Sequence, residues 1–242
     1  MTKSKKSNKG NHRNSVRKSY ESKSKHIYRR GNVYYADLGE CVGSEQSGLR
    51  PVVILQTNEG KSKTTTITVA CMTTKDKGRP MRFHVEVDSI HELKDSYVLC
   101  EHIRTIEPKD LITYIYRLSD EEMAEVSKAI KGFLKLQWNN ITPDKVDTSK
   151  SIFKRGDVYN VDISNHIGKG EGTIAPCVIL QNDVANMKSA TLVVACVGEN
   201  GVIHEEITTV DKLRVSDYLY KLDDEEMKDV SYHVNKSLDI RW

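Results

Sequence analysis

The 242-residue chain has no CxxC pair, and its five cysteines, at positions 41, 71, 100, 177 and 196, are odd in number. That argues against a disulfide framework and against a cysteine-built zinc site. The eight histidines stand in no HxxxH or comparable ligand spacing, so no resident metal or other cofactor is expected. A run of 18 apolar residues occurs nowhere, and no apolar stretch of the signal-peptide kind stands near the start. The expectation is a soluble, cytoplasmic protein with no membrane partner. Acidic residues are almost missing from residues 1–30, which hold 11 Lys/Arg against the single Glu21. Taking these from the totals of 37 basic and 34 acidic residues leaves 26 and 33, so the net charge of +3 hides a basic start and an acidic body. Residues 1–28 are too polar to form a core and are expected to be a disordered basic tail.

What the chain does have, it has twice. Arg30-Gly31-Asn32-Val33-Tyr34 returns as Arg155-Gly156-Asp157-Val158-Tyr159. Pro51-Val52-Val53-Ile54-Leu55-Gln56 returns as Pro176-Cys177-Val178-Ile179-Leu180-Gln181, and Val69-Ala70-Cys71 as Val194-Ala195-Cys196, each 125 positions on. Leu118–Met123 returns as Leu222–Met227 and Trp138 as Trp242, now 104 positions on. The second copy is therefore 21 residues shorter, and the loss falls between Cys196 and Thr208. The boundaries that follow are 1–28 for the tail, 29–138 for one domain, 139–154 for a polar linker and 155–242 for the second domain. Extended, that linker reaches about 50 Å, enough to bring the copies face to face.

Val33–Leu38, Val52–Leu55, Thr65–Cys71, Arg82–Val87 and Tyr97–Ile106 are rich in β-formers and bounded by turn residues, so they are predicted strands. So many short strands in so few residues suggest a small barrel or strongly bent sheet. A helix follows: Ser119 and Glu122 have capping-box spacing, and Met123, Val126, Ile130, Phe133 and Leu134 share one helical face. Asp223 and Glu226 with Met227, Val230, Val234 and Leu238 repeat the pattern. The predicted class is β-rich with a C-terminal helix (α+β) in each copy.

Polar residues confined to one copy are the candidates for function. The loop Gly43-Ser44-Glu45-Gln46-Ser47-Gly48-Leu49-Arg50 corresponds to Gly168-Lys169-Gly170-Glu171-Gly172-Thr173-Ile174-Ala175, and Thr73 corresponds to Gly198. Either Arg50 or Thr73 alone reads as ordinary surface chemistry. Their joint absence from a copy that keeps the Pro-x-Val-Ile-Leu-Gln scaffold points to one site. A guanidinium binds phosphate in a bidentate fork and a hydroxyl adds a neutral donor, a pair suited to the anionic transition state of phosphodiester cleavage. The segment that the second copy lacks opens with a basic stretch, Lys75, Lys77, Arg79 and Arg82, which suits either an RNA groove or a solvated hairpin.

These residues also carry a family resemblance. Arg30-Gly31-x-Val33-Tyr34-Tyr35-Ala36-Asp37-Leu38, then Gly43-Ser44-Glu45-Gln46-x-Gly48-x-Arg50-Pro51-Val52, then Thr73, then Glu101-x-Ile103-Arg104-Thr105-Ile106, resemble the MazF/PemK-type toxins over residues 30–136. The resemblance implies two tandem SH3-like small β-barrels, the second degenerate, and a metal-independent endoribonuclease of a toxin–antitoxin module. It implies Arg50 and Thr73 as the catalytic pair, with Glu45 as a candidate base, and RNA contacts from Ser44 and Gln46. Thr74, Arg82 and Arg104 are further candidates for RNA contact. The implied partners are single-stranded RNA and an antitoxin protein, and assembly is either an intramolecular pseudo-dimer or a homodimer. Two departures bear on base recognition: Gln56-Thr57-Asn58 stands where the family has Gln-Asn-Asp, and His102 where it has Gln. The rival readings are a non-catalytic RNA- or antitoxin-binding relic and a gyrase poison on the same fold.

Overall fold

The computed structural model describes residues 28–57, 65–73, 82–88, 96–136 and 146–240. Nearly all of the basic tail, the first part of the linker, the segment holding Thr74, Lys75, Lys77 and Arg79, and both tryptophans lie outside the described residues.

The first half runs β1 (Asn32–Asp37), β2 (Leu49–Ile54), β3 (Ile67–Thr73), β4 (His84–Val87), β5 (Ser96–Ile106), β6 (Leu111–Arg117) and helix α1 (Asp120–Phe133). The second runs β7 (Asp157–Asp162), β8 (Ile174–Ile179), helix α2 (Asp183–Lys188), β9 (Thr191–Gly198), β10 (Gly201–Asp211), β11 (Val215–Lys221) and helix α3 (Asp224–Ser237). Two antiparallel sheets result, ordered β4-β5-β3-β2-β1-β6 and β10-β9-β8-β7-β11. The missing 21 residues explain the difference in strand number. In the second half β9 turns directly into β10, so β4 has no counterpart. Strands β6 and β11 were not among the predicted strands; Leu111–Arg117 and Val215–Lys221 leave much of their length exposed, so their burial pattern is weak.

Both faces of the central strands are apolar because both are covered. Val52 and Ile54 of β2 and Val69 and Cys71 of β3 join one cluster with Tyr34, Ala36 and Leu38, enclosed by the first half alone. The alternate residues Val53, Ala70 and Met72 face a second cluster that holds Met123, Val126, Ile130 and Phe133 of α1. That second cluster does not stop at the first half. It continues into Val158, Val178, Val193 and Ile207, and into Met227, Val230 and Val234 of α3. A single buried core therefore runs through both halves. Both helices start as predicted, with the capping boxes Ser119/Glu122 and Asp223/Glu226 formed. At the end of the linker, Phe153 packs on the second half, edge-on to Tyr159 at 5.4 Å, and Ser151 Oγ donates to the Phe153 carbonyl at 2.8 Å.

Contacts between the halves come in matched pairs. Arg30 Nε donates to the Leu238 carbonyl at 2.9 Å, and its repeat equivalent Arg155 donates to the Leu134 carbonyl at 3.1 Å. Each arginine thus caps the last turn of the other half's helix. The Thr57 amide donates to Ser237 O at 2.8 Å, and the Asn182 amide to Phe133 O at 3.0 Å. Thr105 Oγ1 lies 2.8 and 3.0 Å from the carbonyls of Ile207 and Glu205; Thr209 Oγ1 lies 2.9 and 3.1 Å from those of Ile103 and Glu101. Each member of a pair maps onto the other by the 125- or 104-residue offset. This is the signature of an isologous, two-fold interface, here within one chain and centred on Arg104 and Thr208. Gly43 and Gly168, with φ +55° and +69°, are matched too: a Cβ on either would run into the acid of the opposite half, Asp211 or Glu107.

Thr209 Oγ1 also accepts from the buried Ile103 amide at 3.0 Å. Thr209→Val leaves that amide without a partner and is expected to cost about 1–3 kcal/mol, measurable as a lowered urea midpoint.

Candidate functional site

Strand pairing places the two one-copy residues at the same end of the sheet. The β2–β3 ladder ends at the pair Val52–Cys71. Arg50 and Thr73 each lie two residues beyond that pair, on the same face of their strands. Arg50 in turn pairs with Ala36, Thr73 with Tyr97, and Tyr97 with Glu86. The row at this end of the sheet therefore holds Ala36 and Arg50 in β1–β2 and Thr73, Tyr97 and Glu86 in β3–β5–β4. The row continues the face of Val52 and Cys71, where the enclosed cluster ends and solvent begins. Arg50 and Thr73 are both half-buried. Ala175 and Gly198 occupy the matching positions of the second half.

The loop before β2 aims the arginine. Arg50 Nε and Nη2 donate to the Ser47 carbonyl at 2.9 and 2.7 Å, and Nη1 bonds Gln46 Oε1. Three of the five guanidinium N–H groups are engaged within the loop, and two remain for a substrate oxygen. Proline at 51 holds Arg50 extended at the strand entrance.

Two expected residues serve elsewhere. Glu45, the candidate base, has a side chain only 1% exposed. Its Oε1 accepts from Arg214 Nε at 2.6 Å and the Asp211 amide at 2.8 Å; its Oε2 accepts from Arg214 Nη2 and His166 Nε2, both at 3.3 Å, and from the Val42 amide at 3.2 Å. Burial alone would raise its pKa, but the bonds from His166, Arg214 and Asp211 outweigh that and hold it at about 2. A carboxylate so occupied is a poor proton acceptor. Arg104, expected on the RNA surface, is 3% exposed. It donates inward, to Leu38 O, Gln46 O and Cys41 Sγ at 3.3, 3.2 and 3.0 Å and to Asn165 O at 3.2 Å. It is a strut under the loop.

Ser44 is exposed and donates its amide to Asp211 Oδ2 at 2.7 Å. Gln46 is half-buried beside Arg50. Arg82 is exposed, its guanidinium 5.5 Å from the Phe83 ring centre. Thr74 falls outside the described residues.

The pairing also reveals polar neighbours that the sequence reading passed over. His84 Nε2 lies 2.6 Å from Glu101 Oε1, and the His84 ring centre is 6.4 Å from that of Tyr97. His84 sits on β4, the strand that the second half lacks. The β3–β5 register shifts between Ala70 and Met72, so several β5 residues oppose Cys71. Such a bulge re-aims side chains beside a site. His102 lies within this stretch; burial lowers its pKa, and Arg50 contributes in the same direction. The only available signal for the His84–Glu101 pair was its confinement to one copy.

The Glu45 cluster has a pH consequence. Glu45 titrates near 2 when folded against an ordinary 4.5, so its stabilisation is full above pH 4.5 and is lost as pH falls towards 2. His166 is lowered from 6.5, chiefly by burial, so the unfolded chain takes up that proton first and stability declines as pH drops below 6.5. Urea midpoints are expected to fall from pH 7 to pH 4, and His166→Gln to flatten the upper part of that fall.

A family model for the PemK-like, MazF-like toxins of type II toxin–antitoxin systems matches residues 29–134 and 154–201, a segment in each half. The chain is 44% identical over 106 residues to endoribonuclease MazF of Staphylococcus saprophyticus, covering 43% of this chain and 88% of that relative. It is 40% identical over 112 residues to endoribonuclease EndoA of Bacillus subtilis, covering 46% of this chain and 97% of that protein. Among solved structures, MazF of Deinococcus radiodurans aligns at 20% identity and a TM-score of 0.39, covering 44% of this chain and 94% of that one. The family match extends over most of the chain and includes the Arg50 loop, strand β3 and, in the second half, the loop that has lost its arginine: this chain belongs to the PemK-like, MazF-like toxins of type II toxin–antitoxin systems.

Proposed function

We propose that the chain is the RNA-cleaving toxin of a toxin–antitoxin module, an endoribonuclease with one working site per chain. The observation that carries this is that Arg50 and Thr73 lie at the same open end of the sheet, each two residues beyond the Val52–Cys71 pair, with both missing from the second half. The relatives' endoribonuclease names agree with it. On this reading the substrate is single-stranded mRNA cut at short specific sequences. The RNA 2′-hydroxyl attacks the adjacent phosphorus, the bond to the 5′-oxygen breaks, and a 2′,3′-cyclic phosphate and a 5′-hydroxyl remain. Arg50 places its two remaining N–H groups on the phosphorane oxygens, where developing charge is stabilised most. The Thr73 hydroxyl binds a phosphate oxygen. His84, paired with Glu101 and with its ring centre 6.4 Å from that of Tyr97 in this row, is a better candidate for proton transfer than Glu45. Ser44, Gln46 and Arg82 flank the substrate path.

Each half is read as an SH3-like barrel with an appended helix, and the chain as a tandem in which the second half takes the place of a partner subunit. The matched interface contacts support that arrangement. An antitoxin is the protein partner that the family description implies. No helix among the described residues is long and apolar enough to cross a membrane, which accords with the cytoplasmic setting of an mRNA substrate.

Incubation with a long single-stranded RNA in excess EDTA tests the reading. Cleavage at a few short sequences, with cyclic phosphate ends, is expected; an RNA left intact with or without divalent ions would overturn it. Removing residues 1–27 is expected to lower the salt dependence of RNA binding and leave the cleavage sites unchanged, because a polycation acts mainly by counterion release.

A further inference from the structure

The loop that aims Arg50 is held by the second half of the chain. Glu45 is clasped by Arg214 through two nitrogens, and these side chains are 1% and 5% exposed. His166 adds a third donor to the same carboxylate. Asp211 closes the clasp from both ends, donating its amide to Glu45 and accepting the Ser44 amide. The next residues, Gln46 and Ser47, are those that engage the Arg50 guanidinium. From Arg214 to Arg50 the connection is one buried ion pair and a few residues of constrained loop.

The repeat offsets show that this clasp exists once only. Glu45 maps to Gly170, Arg214 to Asp110, and His166 to Cys41. On the other side of the interface the acid and the arginine are therefore both gone. The Lys169 ammonium of that second loop pairs with Glu206 of its own half at 3.2 Å. The losses are complementary. The first half keeps the acid and has lost the arginine; the second keeps the arginine and has lost the acid.

We propose that Arg214 is a positioning residue for the catalytic loop, and that this complementary loss restricts the first half to pairing with a second half. The activity readout rests on the function proposed above. Two first halves joined through the same face would set Glu45 against Asp110, two carboxylates with no cation between them. Two second halves would bury Arg214 against Gly170, leaving it only the Asp162 carboxylate of its own half, 3.5 Å from Nη1. The first like pairing desolvates carboxylates without a partner and the second removes the closest partner of Arg214, both destabilising, and only the mixed pairing supplies both members of the pair. The second half thus supplies part of the working site's support although it carries no such site itself.

The test uses the full-length chain with Arg214→Ala, Arg214→Lys, Arg214→Asp and the exchanged pair Glu45→Arg with Arg214→Glu. Two measurements are made well below each variant's melting temperature: amide exchange of residues 44–48, and kcat and KM for RNA cleavage. Arg214→Ala is expected to lose protection at 44–48 and to lower kcat by about 10–100-fold, with exchange in β2, β3 and β8 unchanged. Arg214→Lys keeps the charge without the fork and falls between; it decides the matter if the alanine variant does not fold. Arg214→Asp copies the like pairing and loses more than Arg214→Ala, and the exchanged pair recovers loop protection. Wild-type exchange and kcat in Arg214→Ala would overturn the positioning role. An Arg214→Asp no worse than Arg214→Ala would overturn the exclusion of like pairs. If the wild-type chain cleaves no RNA, the functional reading fails, while loop exchange still decides whether the clasp holds the loop.

Discussion

Arg50→Ala is expected to lower RNA cleavage by about 10²–10³-fold, the loss that follows removal of one preorganised donor to a developing oxyanion. Its fold is expected to stay intact. The hydrogen bonds of the Arg50 side chain go to Ser47 and Gln46 of its own loop, and among the described residues none crosses to the second half. Half-buried residues of that kind typically change stability by little. Arg50→Lys should recover only a small part of the rate, because an ammonium cannot hold Ser47 O and a phosphate through one planar fork. Thr73→Ala should lower kcat in the same direction with less effect, since a neutral hydroxyl contributes less than a guanidinium. Single-turnover cleavage with melting curves on the same samples separates chemistry from folding.

The largest stability loss is expected at Glu45. Glu45→Ala leaves buried Arg214 with only the more distant Asp162 carboxylate, 3.5 Å from Nη1, and breaking a buried pair from one side costs about 3–5 kcal/mol. For a chain of this size that corresponds to a melting temperature lower by roughly 6–20 °C. Gly170, the same position in the second half, carries no such tie, so Gly170→Ala should leave the melting temperature nearly unchanged. A pair of thermal scans measures the contrast. If both substitutions behave alike, the clasp carries no net stability and the interface rests on its apolar core and the matched hydrogen bonds alone.

Much of this could be read from residues alone, and the reasons are physical. Strands β1 to β5 follow runs of β-branched residues, and helices α1 and α3 follow a 3.6-residue apolar period with capping boxes. These are local signals. The correspondence of Arg50 with Ala175 and Thr73 with Gly198 needed only the repeat, and the strands then bring both residues to one end of the sheet. What the sequence concealed depends on the fold. The role of Glu45 is set by Arg214, 169 positions away, and no local pattern announces a carboxylate that will be buried. Arg104 belongs to a family motif, and its charge suggested a surface, yet its guanidinium collects carbonyls under the loop. Arg30 and Arg155 were plainly repeated, but their reason, capping the opposite half's helix, appears only once the two halves are packed. The short helix α2, at Asp183–Lys188, was missed because six residues give too little periodicity to recognise.

One measurement bears most directly on the claim of a single working site completed within one chain. The initial rate of RNA cleavage is measured across protein concentrations from nanomolar to micromolar, with substrate in excess. A site built by the two halves of one chain predicts a rate strictly proportional to protein concentration, so that activity per chain is constant down to the most dilute sample. A site that needs two chains predicts activity per chain that collapses on dilution, with the rate rising as the square of concentration below the dissociation constant. The second result would contradict the account.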